Sequence, residues 1–141
     1  MPPLTPDLES LVRDARVARM ATVDPDGRPH VVPVCFVYTG GAVYSVLDAK
    51  PKRVPATRLR RVRNLLANPN VQLLIDRYDE DWSKLAFVQL RGRAELLQPG
   101  PEHTTALDAL RAKYPQYGAM PLDDAPMVKL TIETSVAWPH P

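Results

Sequence analysis

Val17–Tyr38 reads VARMATVDPDGRPHVVPVCFVY. Two runs rich in β-branched and apolar residues, VARMATV (17–23) and PHVVPVCFVY (29–38), flank Asp24-Pro25-Asp26-Gly27. Proline presets φ at the first central position of a turn, Asp bonds to backbone N–H groups just ahead, and Gly accepts positive φ. The segment is therefore expected to be a β-hairpin. Pro33 has no N–H to give to a ladder, so the second strand must be bulged or lie at a sheet edge there. Thr39-Gly40-Gly41 turns the chain again, and AVYSVL (42–47) supplies a third strand. Three strands at a spacing of about ten residues read as an antiparallel meander.

Outward from this core, Thr5-Pro6-Asp7 is a helix start: a hydroxyl cap, proline in the first turn, and an acid at the positive end of the dipole. Leu8, Leu11, Val12 and Ala15 form one stripe, which predicts a helix over 5–16. Downstream, TRLRRVRNLLA (57–67) reads as a helix capped by Thr57, with Leu59, Val62, Leu65 and Leu66 inward, and Asn68-Pro69 stops it. NVQLLIDRY (70–78) and LAFVQLRGRAELL (85–97) are strands, joined by the short acidic link DEDWSK. Gly92 inside the longer one points to a bulge or a close backbone approach. EHTTALDALRAKY (102–114) is amphipathic, with Ala106, Leu107, Leu110 and the stem of Lys113 inward. MVKLTIETSVAW (127–138) is a last strand in which Val128, Leu130, Ile132 and Thr134 alternate with polar neighbours. Six sequential antiparallel strands with short helices in 141 residues most easily close into a barrel, a mainly β domain expected to span 1–141.

Composition narrows the function classes. Apolar residues make up 45% and charged residues 24%, an ordinary globular balance. Cys35 is the single cysteine, so an intrachain disulfide is impossible and a reducing cytoplasm is expected. No run approaches the roughly 18 apolar residues of a membrane span, and MPPLTPDLES does not read as a signal peptide. His30, His103 and His140 are widely spread, which with one thiol offers no zinc site. No GxSxG, GxxxxGK[ST] or GxGxxG occurs. Any enzymatic chemistry is thus expected to come from a cofactor, with the protein supplying binding and orientation.

The net charge is only +2, but the cations are unevenly placed. Lys50, Lys52, Arg53, Arg58, Arg60, Arg61 and Arg63 cluster, and no acid occurs from 49 to 75. Such a stretch is either a solvated basic face or the seat of one anion. The helix N-terminus and Ser45 nearby favour a phosphate, which arginine forks and lysine point charges recognise. Nucleic acid is disfavoured, because aromatics are only 6% and none interleaves with the cations. Val32, Pro33 and Val34 offer either an apolar shelf for a ring system or plain core. Trp82, in a polar acidic loop, and Trp138, near the end of the last strand, either cover a ligand, pack across an interface, or pack locally.

The order ARMATVDPDGRPHVVPVCFVY, YSVLDAKPK, LRRVRNLLANPNVQLLID resembles the pyridoxamine 5′-phosphate oxidase-like, FMN-binding split-barrel family over about residues 8–138. VLDAKPK together with YDEDWSKL resembles its actinobacterial branch that uses the deazaflavin coenzyme F420. The resemblance implies a split β-barrel homodimer with two cofactor sites at the subunit interface. It further implies F420, or alternatively FMN, as cofactor, and hydride transfer to a small organic substrate. A non-catalytic flavin carrier or sensor is the other outcome the family admits. By position, Ser45, Lys50, Lys52, Arg61 and Arg63 would hold the phosphate and Val32, Pro33 and Val34 would lie against the ring. Trp82 and Trp138 would come from the partner subunit. Nothing matches the C-terminal substrate-binding part of the vitamin B6 oxidases, so that activity is not expected.

Overall fold

A computed structural model describes residues 4–48 and 58–139. Helix α1 (Pro6–Asp14) starts where the cap predicts it: Thr5 Oγ1 accepts from the Leu8 N–H at 3.3 Å. Strands β1 (Ala18–Val23) and β2 (Pro29–Val34) pair antiparallel around the Asp24–Gly27 turn. Asp24 Oδ1 accepts from the N–H groups of Asp26 and Arg28, each at 2.9 Å, and Gly27 takes φ of 81°. After β2 come β3 (Val37–Thr39), β4 (Ala42–Val46), helix α2 (Arg60–Ala67), β5 (Asn70–Arg77), β6 (Ala86–Leu97), helix α3 (Pro101–Lys113) and β7 (Met127–Trp138).

The seven strands form one antiparallel sheet in the order β2-β1-β5-β6-β7-β4-β3. The first and last strands of that order are joined by Cys35 and Phe36 alone. Two residues cannot span a flat sheet seven strands wide, so the sheet curls until its margins meet along a seam. This corrects two expectations. The run 29–38 is two strands rather than one, which raises the count from six to seven. The meander is two separate hairpins, since β3 and β4 pair with each other and neither with β2. The chain changes margins at Phe36, whose N–H and C=O are satisfied from α3. Tyr114 Oη accepts from the Phe36 N–H at 3.0 Å, and Lys113 Nζ donates to the Phe36 carbonyl at 2.9 Å. Pro33 is on the margin strand, as its missing donor requires.

The curl creates two cores. Met20, Val34, Phe36, Val43, Leu73, Ile75, Val88, Leu90 and Leu130 fill the barrel, with Leu8, Val12, Val62 and Leu65 closing it from α1 and α2. Ala106, Leu107 and Leu110 of α3 pack outside it on Val37, Tyr44 and Val46. All five residues of β4 are therefore buried, on alternate faces against the two cores. At Gly92 the β6–β7 register shifts, and a Cβ there would stand 1.8 Å from the Thr131 carbonyl oxygen. The bulge exists because only glycine lets β7 approach so closely.

Candidate functional site

Helix α2 presents the best-defined part of the expected anion site. Its N-cap is Leu59, without a side-chain cap bond; the expected cap Thr57, with Lys50 and Lys52, lies outside the described residues. At 100° per residue the inward arc runs through Asn64, Arg61, Leu65 and Val62. Val62, Asn64 and Leu65 are buried and Arg61 is half-buried. Leu66, expected inward, is 57% exposed; it falls outside that arc. Asn64 takes a buried place instead, donating to Thr22 Oγ1 at 3.0 Å and tying α2 to β1. Asn64 Oδ1 has no hydrogen-bond partner among the described residues.

Arg61 and Arg63 therefore diverge. Two residues apart, they leave the helix axis about 200° apart. Arg63 is exposed beside Arg60, while Arg61 points toward the barrel. Burial pulls the Arg61 guanidinium below its usual pKa, and nearby Asp48 opposes that pull. Among the described residues Arg61 forms no ion pair. A half-buried guanidinium that forms no salt bridge among the described residues fits an incoming phosphate, the anion that would satisfy its forked donors. Ser45 is buried on β4, opposite Val128 of β7, and shares its face of the strand with Val43 of the barrel core.

Val32, Pro33 and Val34 do not share a face. The strand period of two turns Val32 and Val34 toward the barrel core and leaves Pro33 outside with Val31, which is 59% exposed. A ring laid on the outer face of β2 would meet Val31 and Pro33; one inserted at the seam would meet Val34. Trp82 opens a 3₁₀ turn (Trp82–Lys84) capped by Asp81 and is 68% exposed. Trp138 ends β7 opposite Phe87. With Tyr78, Leu74 and Leu85 they line a groove of about 610 Å³ on the outside of the sheet. Trp82 does not line that groove.

A second cleft, of about 600 Å³, lies at the seam between Val17, Cys35 and Asp48 on one side and Tyr114–Met120 on the other. Arg16 stands at its rim: its Nη1 donates to the Lys113 carbonyl at 2.6 Å and its guanidinium lies 5.6 Å from the Tyr114 ring centre. Lys113 Nζ lies 4.0 Å from the Phe36 ring centre, and burial, then Arg16, lower its pKa to about 8. Asp48 belongs to this cleft and also acts on Arg61, so cleft and cation are neighbours. Sequence reading missed this cluster. Its members are drawn from residues 16–17, 35–36, 48 and 113–120, and the only local signal is the pair of basic residues, Arg111 and Lys113, in the last turn of α3.

A family model described as pyridoxamine 5′-phosphate oxidase matches residues 4–138. No curated protein sequence matches the chain. Among solved structures, a conserved hypothetical protein of Mycobacterium tuberculosis superposes with a TM-score of 0.77 at 18% identity, over 96% of this chain and 85% of that one. An F420 reductase superposes at 0.70 and 23% identity, covering 94% of this chain and 98% of that one. A heme storage protein of Vibrio cholerae gives 0.72 and 17%, over 96% and 93%. These likenesses establish the split-barrel fold. No helix among the described residues is long and apolar enough to cross a membrane.

Proposed function

We propose that this chain, which belongs to the pyridoxamine 5′-phosphate oxidase family, binds a flavin-type cofactor through its phosphate and serves as an oxidoreductase. The observation that carries the reading is Arg61, a half-buried cation with no ion-pair partner among the described residues, on the inward arc of α2. In this reading Arg61 grips the phosphate, helped by the basic segment 50–53. Val31 and Pro33, on the outer face of β2, bear on the ring. The deazaflavin F420 is the preferred cofactor and FMN the alternative. When bound and reduced, such a cofactor supplies a hydride to an electron-poor double bond, and water supplies the proton. The chain's own part is to fix the ring, hold the phosphate and exclude solvent.

The reading includes a homodimer. Tyr78, Trp82 and Trp138 are large, exposed side chains, and aromatic groups of this kind are enriched where proteins meet. A second copy covering the Tyr78–Trp138 groove would bring those rings beside the partner's site. A non-catalytic carrier is the second reading, favoured by the fold's occurrence in a heme storage protein.

The test is direct. Protein soaked with F420 or with FMN, then desalted, is expected to retain one of the two visible spectra. Reduced cofactor is expected to be oxidised faster with protein than without it across a panel of enones and quinones. Retention without acceleration would select the carrier, and retention of neither spectrum would defeat the proposal.

A further inference from the structure

We propose that Pro33 is the residue by which this chain discriminates a deazaflavin from FMN, because it strips a hydrogen-bond donor from the free margin of the sheet. This role rests on the cofactor reading, in which Val31 and Pro33 bear on the ring. The first hairpin fixes which way the backbone of β2 points. The Asp24 N–H donates to the Arg28 carbonyl at 3.0 Å, and the register of the two strands continues through Thr22–His30, Met20–Val32 and Ala18–Val34. Bonded and non-bonded pairs alternate along an antiparallel ladder. Pro29, Val31 and Pro33 are therefore the non-bonded members, and their main-chain groups point away from β1. β2 is a margin of the sheet, so no further strand receives them.

This edge is rich in acceptors and poor in donors. The carbonyls of Pro29, Val31 and Pro33 line it at intervals of about 7 Å, but proline has no N–H, so Val31 carries the single donor. The Val31 N–H has no partner among the described residues; Val31 is 59% exposed and Pro33 is exposed beside it. Helix α2, which carries Arg61, packs on the same strand. The two candidate cofactors differ in the central ring. FMN has a nitrogen at position 5, which accepts hydrogen bonds, and the deazaflavin has a C–H in its place. Beside a row of carbonyl oxygens the nitrogen is desolvated without gaining a donor, whereas the C–H makes a weak favourable contact with the same oxygens. Such a margin favours the deazaflavin, and an N–H restored at position 33 narrows that preference.

The test is a fluorescence titration of F420 and of FMN into wild type, Pro33→Ala and Pro29→Ala. Lost contact with the proline ring weakens both cofactors alike and cancels in the ratio of their dissociation constants. Pro33→Ala is expected to move that ratio toward FMN by about three- to tenfold, the worth of one net hydrogen bond. Pro29→Ala places its new N–H about 14 Å further along the strand and is expected to leave the ratio within about twofold. Amide hydrogen exchange on wild type without cofactor reads the margin directly: the Val31 amide should exchange faster than those of His30 and Val32. An unchanged ratio in Pro33→Ala, with both cofactors bound, would overturn the role of Pro33 and leave the cofactor reading standing. A Val31 amide as protected as that of Val32 would overturn it without any variant. Binding of neither cofactor to wild type would defeat the cofactor reading and the role of Pro33 together.

Discussion

Replacing Tyr114 by Phe tests how the barrel seam is closed. The Tyr114 hydroxyl accepts from the Phe36 N–H at 3.0 Å and lies within bonding distance of the Arg16 carbonyl at 2.9 Å and the Phe36 carbonyl at 3.1 Å. Its single proton serves one of those two oxygens at a time. Removing the hydroxyl costs the two carbonyls little, because Lys113 Nζ also serves Phe36 and Arg16 is exposed to water. The Phe36 N–H has no such replacement, since Phe36 is 0% exposed. A stranded buried donor costs roughly 1–3 kcal/mol. We therefore expect Tyr114→Phe to lose about 2 kcal/mol in urea unfolding with the m-value unchanged, and about 6 °C in Tm for a chain of this size. Hydrogen exchange at the Phe36 amide should accelerate more than at the Leu90 amide in the barrel centre. A loss below about 0.5 kcal/mol, or unchanged relative protection of Phe36, would refute the idea that α3 closes the seam.

Gly92→Ala places a methyl group 1.8 Å from a backbone oxygen, so β6 and β7 must part; a loss of about 3 kcal/mol or more is expected, and a change under about 1 kcal/mol in thermal unfolding would contradict the bulge. Lys113 has a folded pKa of about 8, below its unfolded value near 10.4. Between those values the unfolded chain holds the extra proton, so stability should rise as pH increases from 8 toward 10. The groups facing Lys113 are Arg16, Asp14, Cys35 and the Phe36 and Tyr114 rings. Tyr44, Tyr114 and Tyr117 have raised pKa values and oppose the rise only above about pH 10, where unfolded tyrosines ionise. Denaturant midpoints measured from pH 7.5 to 9.5 should climb in the wild type and be flatter in Lys113→Met, and equal slopes would exclude the lysine as the cause. Trp138→Ser should shift the protein from dimer toward monomer in light scattering; an unchanged mass would place the interface elsewhere.

Much of the fold is legible because its signals are local. Thr5 caps α1, Asp24–Gly27 closes the first hairpin, Gly92 marks the bulge, and the bounds of β5, β6, α3 and β7 follow from periodicity. The break at Cys35–Phe36 is not local. Both sides carry β-forming residues, and the groups that stabilise the break, Lys113 and Tyr114, lie 77 and 78 residues away. The site was legible as a charge cluster but not as a geometry. Seven cations between Lys50 and Arg63 raise the expectation of an anion site, yet only the turn of α2 separates Arg61 from Arg63. Likewise, period two divides Val32 and Val34 from Pro33, which a linear reading groups together. Leu66, expected inward, is exposed, and Asn64 is buried on Thr22 instead, because a buried polar contact outweighs apolar patterning in so short a helix.

Arg61 is proposed as the cation that holds a cofactor phosphate. Fluorescence titration of F420, with FMN in parallel, into wild type, Arg61→Ala and Arg63→Ala measures it directly. Loss of a charge-assisted bond worth about 1.5–3 kcal/mol predicts that Arg61→Ala weakens binding by about 10- to 100-fold, while Arg63→Ala stays within about threefold. Equal affinities for all three proteins, or weakening by Arg63→Ala alone, would contradict it.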